Sequence, residues 1–390
     1  MVDDLKNLKD KILSFKGLIL IGSVDMLTAA ISAGFWLLIA SLLSVEEYGK
    51  IFYIIAIASL TQSCCVIGSS NTLLVYSSKQ PKLIPTLLFL SLICAVASSL
   101  IAFMIIQKYE IIFLVFAFLI FEISTSILLG KKMYAKYSKF LLTQKLIQFV
   151  LGIGLYFIIG INGILIGIIL SNIPLLLIFY KELQNFKLNF SLLKLKKEFI
   201  INTHAVHLIS VFRRDIDKII ITQLLGLTVL GNFAFAVQVY TILMIFSSIS
   251  FKYLVPKEVS GQKNKKLKKL LILLSIVIAL SGFFFSPYLI ENFFTKFSES
   301  IIPIQIISFN VIPGMIGNIL FTKILALEKS RFLILATAAQ LGFIICGTIF
   351  LGMFYGIVGI AFSFLIASIA YASTLAILNY QHIGKGKFDI

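Results

Sequence analysis

The sequence predicts an all-α integral membrane protein, with about 12 transmembrane helices in two six-helix lobes and both termini in the cytoplasm. Composition, long apolar runs and an uneven distribution of charge lead to this fold class. Of the 390 residues, 59% are hydrophobic and 13% are charged, against about 25% charged residues in an ordinary soluble domain. The mean hydropathy is +1.03. A soluble enzyme, a disordered chain and a disulfide scaffold are excluded.

Twelve apolar runs are long enough to cross a membrane, since a helix needs about 20 residues to span a ~30 Å hydrocarbon layer. In lipid, a helix satisfies the hydrogen bonds of every backbone group. The runs do not show the alternation of apolar and polar residues that is typical of barrel strands. They extend over Gly17–Leu43, Gly49–Tyr76, Leu83–Ile106, Ile111–Gly130, Phe140–Gly160, Asn162–Tyr180, Ile200–Leu225, Val229–Leu254, Leu270–Ile290, Ile301–Leu327, Phe332–Phe354 and Gly356–Tyr380.

The number of basic residues alternates between high and low in successive predicted loops. With the amino terminus inside, 26 of the 34 basic residues fall in cytoplasmic segments, three on the opposite side and five within spans. Cytoplasmic loops are normally enriched in basic residues. The bias supports twelve spans with both termini inside. It also explains the net charge of +17 by topology, so no nucleic-acid partner is expected.

Short repeated motifs indicate two similar halves. Tyr48-Gly49 matches Leu230-Gly231 at an offset of 182 residues, and Gly160–Ile164 matches Gly356–Ile360 at an offset of 196. Repeated halves are common in transporters. We therefore expect a cytoplasmic amphipathic N-terminus at 1–16, an N-lobe at 17–180, a cytoplasmic linker at 181–199, a C-lobe at 200–380 and a cytoplasmic tail at 381–390.

Ionisable side chains lie deep in three predicted spans. They are Asp25, Glu122, Arg213, Arg214, Asp215, Asp217 and Lys218. Each costs roughly 2.5–3.5 kcal/mol unless it is paired or hydrated, so such residues point to function. In the seventh span, Arg213 and Asp217 are i,i+4 neighbours and Asp215 and Lys218 are i,i+3 neighbours. This group is either a structural ion-pair cluster or the wall of a polar substrate cavity with about one net positive charge.

Asp25 and Glu122 have no basic residue within one helical turn along the sequence. Two interpretations stay open: counter-ions for the cationic group, or protonatable carboxyl groups that couple transport to a proton gradient. His204 and His207 have a spacing compatible with a metal, but no third or fourth ligand is evident, so we interpret them as pore-lining or packed residues. We expect no metal site, and the chain has no nucleotide-binding or hydrolase motif, so we expect no cofactor.

Three segments resemble a known family: LLSVEEYGKIFYIIAIASL at 42–60, DIDKIIITQLLGLTVLGNFAFAVQVYTIL at 215–243 and YGIVGIAFSFLIASIAYA at 355–372. They are similar to polysaccharide-biosynthesis flippases of the O-antigen (Wzx) type, in the multidrug, oligosaccharidyl-lipid and polysaccharide (MOP) exporter superfamily. The resemblance implies a MATE-like fold in the bacterial inner membrane. It also implies alternating access that moves an undecaprenyl-pyrophosphate-linked oligosaccharide from the inner to the outer leaflet. Membrane lipids, a polysaccharide polymerase and a chain-length regulator are the candidate partners.

A cationic cavity suits a pyrophosphate, to which arginine donates paired hydrogen bonds. We expect Arg213, Arg214 and Lys218 to bind this group and Asp217, which matches an acidic position that recurs in the seventh span of such proteins, to fix Arg213. Asp25 and Glu122 are expected to couple or gate the cycle. Gln238, Tyr240 and Asn310 are examples of side chains expected to contact sugars.

The chain departs from the related lipid II flippases in two respects. It lacks two extra helices, and the charge in its first span is Asp25 and not arginine.

Three other functions compete with a flippase: a cation-coupled multidrug exporter of the same superfamily, a membrane polysaccharide polymerase, and a structural membrane subunit. The arginine pair disfavours the exporter's cationic cargo, the short outer loops disfavour the polymerase, and the buried charges disfavour a structural subunit.

Overall fold

The computed structural model describes residues 2–184, 187–247, 250, 254, 265–326 and 330–383. Within these ranges, side chains are described for residues 22–324 and 331–381. Every regular element in the described residues is helical, which confirms the predicted all-α class. The α-helices are α1 (Val2–Leu42), α2 (Val45–Cys65), α3 (Ser69–Lys79), α4 (Ile84–Ile106), α5 (Glu110–Gly130), α6 (Tyr134–Ile159), α7 (Ile161–Leu170), α8 (Ile173–Gln184), α9 (Phe190–Leu195), α10 (Lys197–Leu225), α11 (Leu227–Leu243), α12 (Lys265–Phe293), α13 (Ile301–Ser308), α14 (Val311–Ala326) and α15 (Ser330–Ile383).

Nine helices in the described residues are long and apolar enough to cross a membrane, or up to ten when the bent pair α2 and α3 is one span. Helix α15 has 54 residues, which is about 81 Å at 1.5 Å per residue and far exceeds one crossing. Gly356 interrupts it with a left-handed φ of 57°. The protein is therefore a multi-pass membrane protein. The count of twelve and the cytoplasmic termini stay predictions.

The first compact unit contains residues 1–35 and 57–208. Its centre is α5, which packs against α3, α4, α7 and α8. The apolar side chains of α5 fill the interior, with Ile111, Leu114, Leu119 and Ile123 all fully buried. The expected linker is largely helical, because α8 runs to Gln184, α9 lies within it and α10 begins at Lys197.

The second compact unit contains residues 36–56 and 209–390. Within it α12 packs on α13, α13 on α11, and α14 on α15. Leu320, Ile324, Ala336 and Leu375 form one of its buried apolar clusters. Helix α10 contributes to both units, since the division falls after Leu208. The expected lobes at 17–180 and 200–380 stay a prediction. The side chains of segment 1–16 and the tail from residue 384 lie outside the described part of the chain, so the expected roles of these two segments also stay predictions.

Two turns have the same local structure in both predicted halves. Gly160 has φ 67° and ψ −148°, and Gly356 has φ 57° and ψ −140°. Three residues after each turn, another glycine packs against the preceding helix: a β-carbon on Gly163 would lie 2.2 Å from the Leu155 carbonyl oxygen, and one on Gly359 1.9 Å from that of Leu351. These equivalences support the internal duplication expected from the sequence.

Several predicted spans are broken, which the apolar pattern does not reveal. The second span bends by 44° between α2 and α3, where Gly68 and Ser69 both have positive φ. Breaks also separate α7 from α8 and α13 from α14. Pro174 and Pro313 lie in the first turns of α8 and α14, positions that proline tolerates because it needs no amide hydrogen-bond acceptor there.

Candidate functional site

A pocket of about 380 Å³ lies within the second unit, and it contains one of the predicted charges. This volume is typical of a small-molecule site, for which about 300–1,000 Å³ is usual. Helices α10, α11, α14 and α15 provide most of its wall. The lining residues are Arg213, Tyr240, Met244, Gly314, Asn318, Phe321, Gln340, Ser368 and Tyr371. Among the described residues, the pocket therefore combines one cation with amide, hydroxyl and aromatic groups, and no carboxylate lines it.

Among the described residues, a single hydrogen bond positions the Arg213 side chain. Its Nη1 donates a hydrogen bond to Oε1 of Gln340 at 3.0 Å, and Gln340 is itself buried. The Nε atom of Arg213 is buried without an acceptor among the described residues. An unsatisfied buried donor on a charged group is costly. The guanidinium therefore has hydrogen-bonding capacity left for an anionic ligand in the pocket.

The other charges of α10 neutralise one another. Asp215 pairs with Arg214 at 3.0 Å and with Lys218 at 3.3 Å, and Asp217 pairs with Lys218 at 3.2 Å. Lys218 also donates to the Arg214 carbonyl oxygen at 2.6 Å. A lysine ammonium has three hydrogens, so its donors are all engaged. Asp215 and Asp217 are buried, whereas the Arg214 side chain is 64% exposed.

This geometry confirms one predicted pair and corrects another. The Asp215–Lys218 pair forms as expected. The expected Arg213–Asp217 pair does not form. Lys218 pairs with both Asp215 and Asp217, and Arg213 donates its hydrogen bond to Gln340. Three cations and two carboxylates give the expected single net positive charge on this segment. Arg213 is the cation of this segment that has no carboxylate partner in the part of the chain that the structure describes.

A second polar cluster lies in the first unit around Glu122 of α5. Nε2 of Gln62 donates to Oε2 of Glu122 at 2.8 Å, and Nε2 of His207 lies 3.5 Å from Oε1. Both side chains of the Glu122–His207 pair are largely buried, at 18% and 12% exposure. Carboxylate and imidazole groups in contact within a membrane are typical of proton relays.

Asp25 belongs to the same unit but has a different partner. The Tyr137 hydroxyl donates to Oδ1 of Asp25 at 3.3 Å, so α1 and α6 meet through this contact. The two predicted coupling residues thus have separate hydrogen-bond partners on different helices. Within the described part of the chain, no group of three or more His, Cys, Asp and Glu side chains could hold a metal ion.

The sequence identified Arg213, Glu122 and Tyr240, but it did not identify Gln62, Gln340 or Tyr371 as site residues. Glutamine and tyrosine are common in membrane helices and carry no distinctive spacing here. Of the other expected sugar contacts, Asn310 is fully buried and its amide atoms have no partner among the described residues. Neither Asn310 nor Gln238 lines the pocket.

No known family model matches the sequence, and no curated protein matches it. Solved structures do match. The lipid II flippase MurJ in an inward closed conformation aligns with a TM-score of 0.75 at 15% identity, over 92% of this chain and 87% of that one. A multidrug resistance MATE family transporter of the MOP superfamily, in an inward-facing conformation, gives 0.64 at 14% identity over 91% and 96%. The chain has the fold of MOP-superfamily transporters.

A third similar structure is a MOP superfamily transporter from Pyrococcus furiosus, whose description reports a reverse polarity of the binding pocket. It aligns with a TM-score of 0.58 at 13% identity, over 92% of this chain and 94% of that one. The expectation of a MATE-like fold is therefore confirmed.

Proposed function

We propose that this protein is a flippase for a lipid-linked oligosaccharide in the bacterial inner membrane. Its cargo would be a surface-polysaccharide repeat unit on undecaprenyl pyrophosphate, carried from the inner to the outer leaflet by alternating access. The observation that carries the proposal is Arg213, a cation in a pocket that no described carboxylate lines. The MurJ-like fold is consistent with a lipid-linked cargo.

Arg213 is the proposed contact to the pyrophosphate. Its planar guanidinium donates paired, charge-assisted hydrogen bonds to phosphate oxygens, and its Nε is available for this purpose. Tyr240, Asn318 and Ser368 line the same pocket and offer hydroxyl and amide groups to the first sugar. Arg214 and Lys218 would contribute little attraction of their own, because Asp215 and Asp217 pair with them; they would position α10 beside the pocket.

A cation-coupled multidrug exporter is the second candidate function, and the MATE transporter among the similar structures supports it. Glu122 contacts both Gln62 and His207, so it could exchange a proton during transport. The same cluster is equally compatible with a proton-coupled flippase. A cationic drug would have to enter a pocket whose charged side chain is an arginine, which is unfavourable.

The test is the leaflet distribution of undecaprenyl-linked oligosaccharide in cells that lack the gene, with and without a restored copy. A flippase predicts accumulation in the inner leaflet, reversed by the intact copy. If single repeat units reach the outer leaflet and remain unpolymerised, the protein is a polymerase. If the distribution is unchanged but efflux of a cationic dye falls, the protein is a drug exporter.

A further inference from the structure

A second cleft, of about 770 Å³, lies within the first unit. Four lysines line it, together with a single acidic residue: Lys82, Lys131, Lys181, Lys187 and Glu182. They come from the turn before α4, the end of α5, the end of α8 and the segment before α9. The charge pattern of the sequence assigns all of these segments to the cytoplasmic side. The cleft would therefore lie at the level of the inner-leaflet headgroups.

The described residues do not balance the positive charge in the cleft. Glu182 accepts a hydrogen bond from Nζ of Lys131 at 2.5 Å. Lys82, Lys181 and Lys187 form no ion pair with any residue that the structure describes. Four lysines and one glutamate give the lining a net charge of +3. Positive charges gathered in one concave site favour the binding of an anionic ligand.

The segment that carries Lys187 is tied to the membrane helices. The backbone amide of Asn189 donates to Oγ1 of Thr86, at the start of α4, at 2.8 Å. The side chain of Asn189 caps α9 by accepting from the Leu192 amide at 2.9 Å. These hydrogen bonds hold Asn189 and the start of α9 beside the start of α4, and Asn189 lines the cleft.

An apolar stripe on α8 leads into the cleft. Ile173, Leu177 and Tyr180 are 52%, 61% and 62% exposed. They lie at i, i+4 and i+7 on one helix face, and Gln184, the next position of this face, lines the cleft. A ligand that combines a phosphate with an acyl chain would match both surfaces, whereas a free phosphate would match only the lysines.

We propose that this cleft binds the phosphate headgroup of an anionic phospholipid of the inner leaflet, with an acyl chain along Ile173, Leu177 and Tyr180. Basic pockets between membrane helices on the cytoplasmic side are suited to anionic headgroups. The site lies within the first unit and the Arg213 pocket within the second. The lipid site does not depend on the identity of the transported cargo.

The first experiment measures binding of phosphatidylglycerol to the purified full chain by native mass spectrometry, with phosphatidylcholine for comparison. In the variant K82Q/K181Q/K187Q we expect phosphatidylglycerol affinity to fall by about fivefold for each lysine, which is on the order of 100-fold. The matched control K136Q/K139Q/K194Q removes three exposed lysines outside the cleft and should bind normally. An equal loss in the control would overturn the proposal.

A second comparison separates a lipid from a soluble anion. Leu177→Ser should weaken binding of long-chain phosphatidylglycerol, whereas Val150→Ser, on the similarly exposed surface of α6, should not. Inorganic phosphate and pyrophosphate, at matched ionic strength, should raise the melting temperature of the wild type much less than phosphatidylglycerol does. Equal stabilisation by pyrophosphate, or no preference for phosphatidylglycerol over phosphatidylcholine in the wild type, would overturn the proposal even where the triple variant fails to fold.

Discussion

Gly49 and Gly231 occupy equivalent positions in a reciprocal contact between the first turns of α2 and α11. A β-carbon on Gly49 would lie 2.1 Å from the carbonyl oxygen of Leu227, and one on Gly231 would lie 1.9 Å from that of Val45. Val45 and Leu227 are the first residues of their helices and are separated by the same 182 positions as the glycines. Equivalent positions of the predicted duplication thus make the same backbone contact within the second unit.

Aromatic side chains support this contact. Tyr48 is fully buried and its ring lies 5.5 Å from that of Phe297 and 6.4 Å from that of Phe235. Such edge-to-face pairs each contribute about 0.5–1.5 kcal/mol beyond their buried area. The topology predicted from the sequence places these helix ends on the extracytoplasmic side. We interpret the contact as the one that holds α2 against α11 within the second unit.

Alanine at Gly49 or Gly231 should separate α2 from α11 at this point, because a β-carbon cannot be accommodated while the two helices remain in contact. We expect faster labelling of a cysteine at the buried position Leu43 by a membrane-impermeant maleimide, in a chain whose native cysteines have been replaced. Gly154→Ala is the control, since nothing lies within 4 Å of a β-carbon there. Unchanged labelling in both variants would show that the helices do not separate at this point.

Removing Lys218 should destabilise the protein more than it affects cargo recognition. Lys218 pairs with Asp215 and Asp217, both buried, and breaking a buried pair costs about 3–5 kcal/mol because charge is left uncompensated. Lys218→Met should therefore lower the melting temperature in detergent. Adding Asp217→Asn should restore part of the stability. A stable Lys218→Met protein that fails only in transport would instead place Lys218 in the binding site.

Glu122→Gln should uncouple transport from a proton gradient while leaving cargo binding intact, because the amide still accepts from Gln62 but cannot take up a proton. The measurement is transport in proteoliposomes with and without a pH gradient. Glu198→Gln, an exposed change near the start of α10, is the control. If the variant responds to the gradient as the wild type does, Glu122 has no coupling role.

The sequence predicted the helical class and the charged segment of α10, because hydropathy and charged residues are read directly along the chain. The duplication stays a prediction, which the equivalent turns at Gly160 and Gly356 support. The sequence did not predict how the charges pair. Spacing alone allowed Arg213 to reach Asp217. In the structure, Arg213 donates a hydrogen bond to Gln340, which is 127 positions away. Lys218 pairs with Asp215 and Asp217. Contacts between distant helices, such as Gln62 with Glu122, leave no periodic trace in the sequence.

The most direct test is the affinity of the purified protein for undecaprenyl pyrophosphate, compared between the wild type and Arg213→Ala. Loss of paired hydrogen bonds to a charged group costs about 1.5–3 kcal/mol for each bond, so affinity should fall at least about tenfold. Arg331→Ala removes an exposed arginine outside the pocket and should leave affinity unchanged. Equal affinity of the wild type and a folded Arg213→Ala protein would contradict the account.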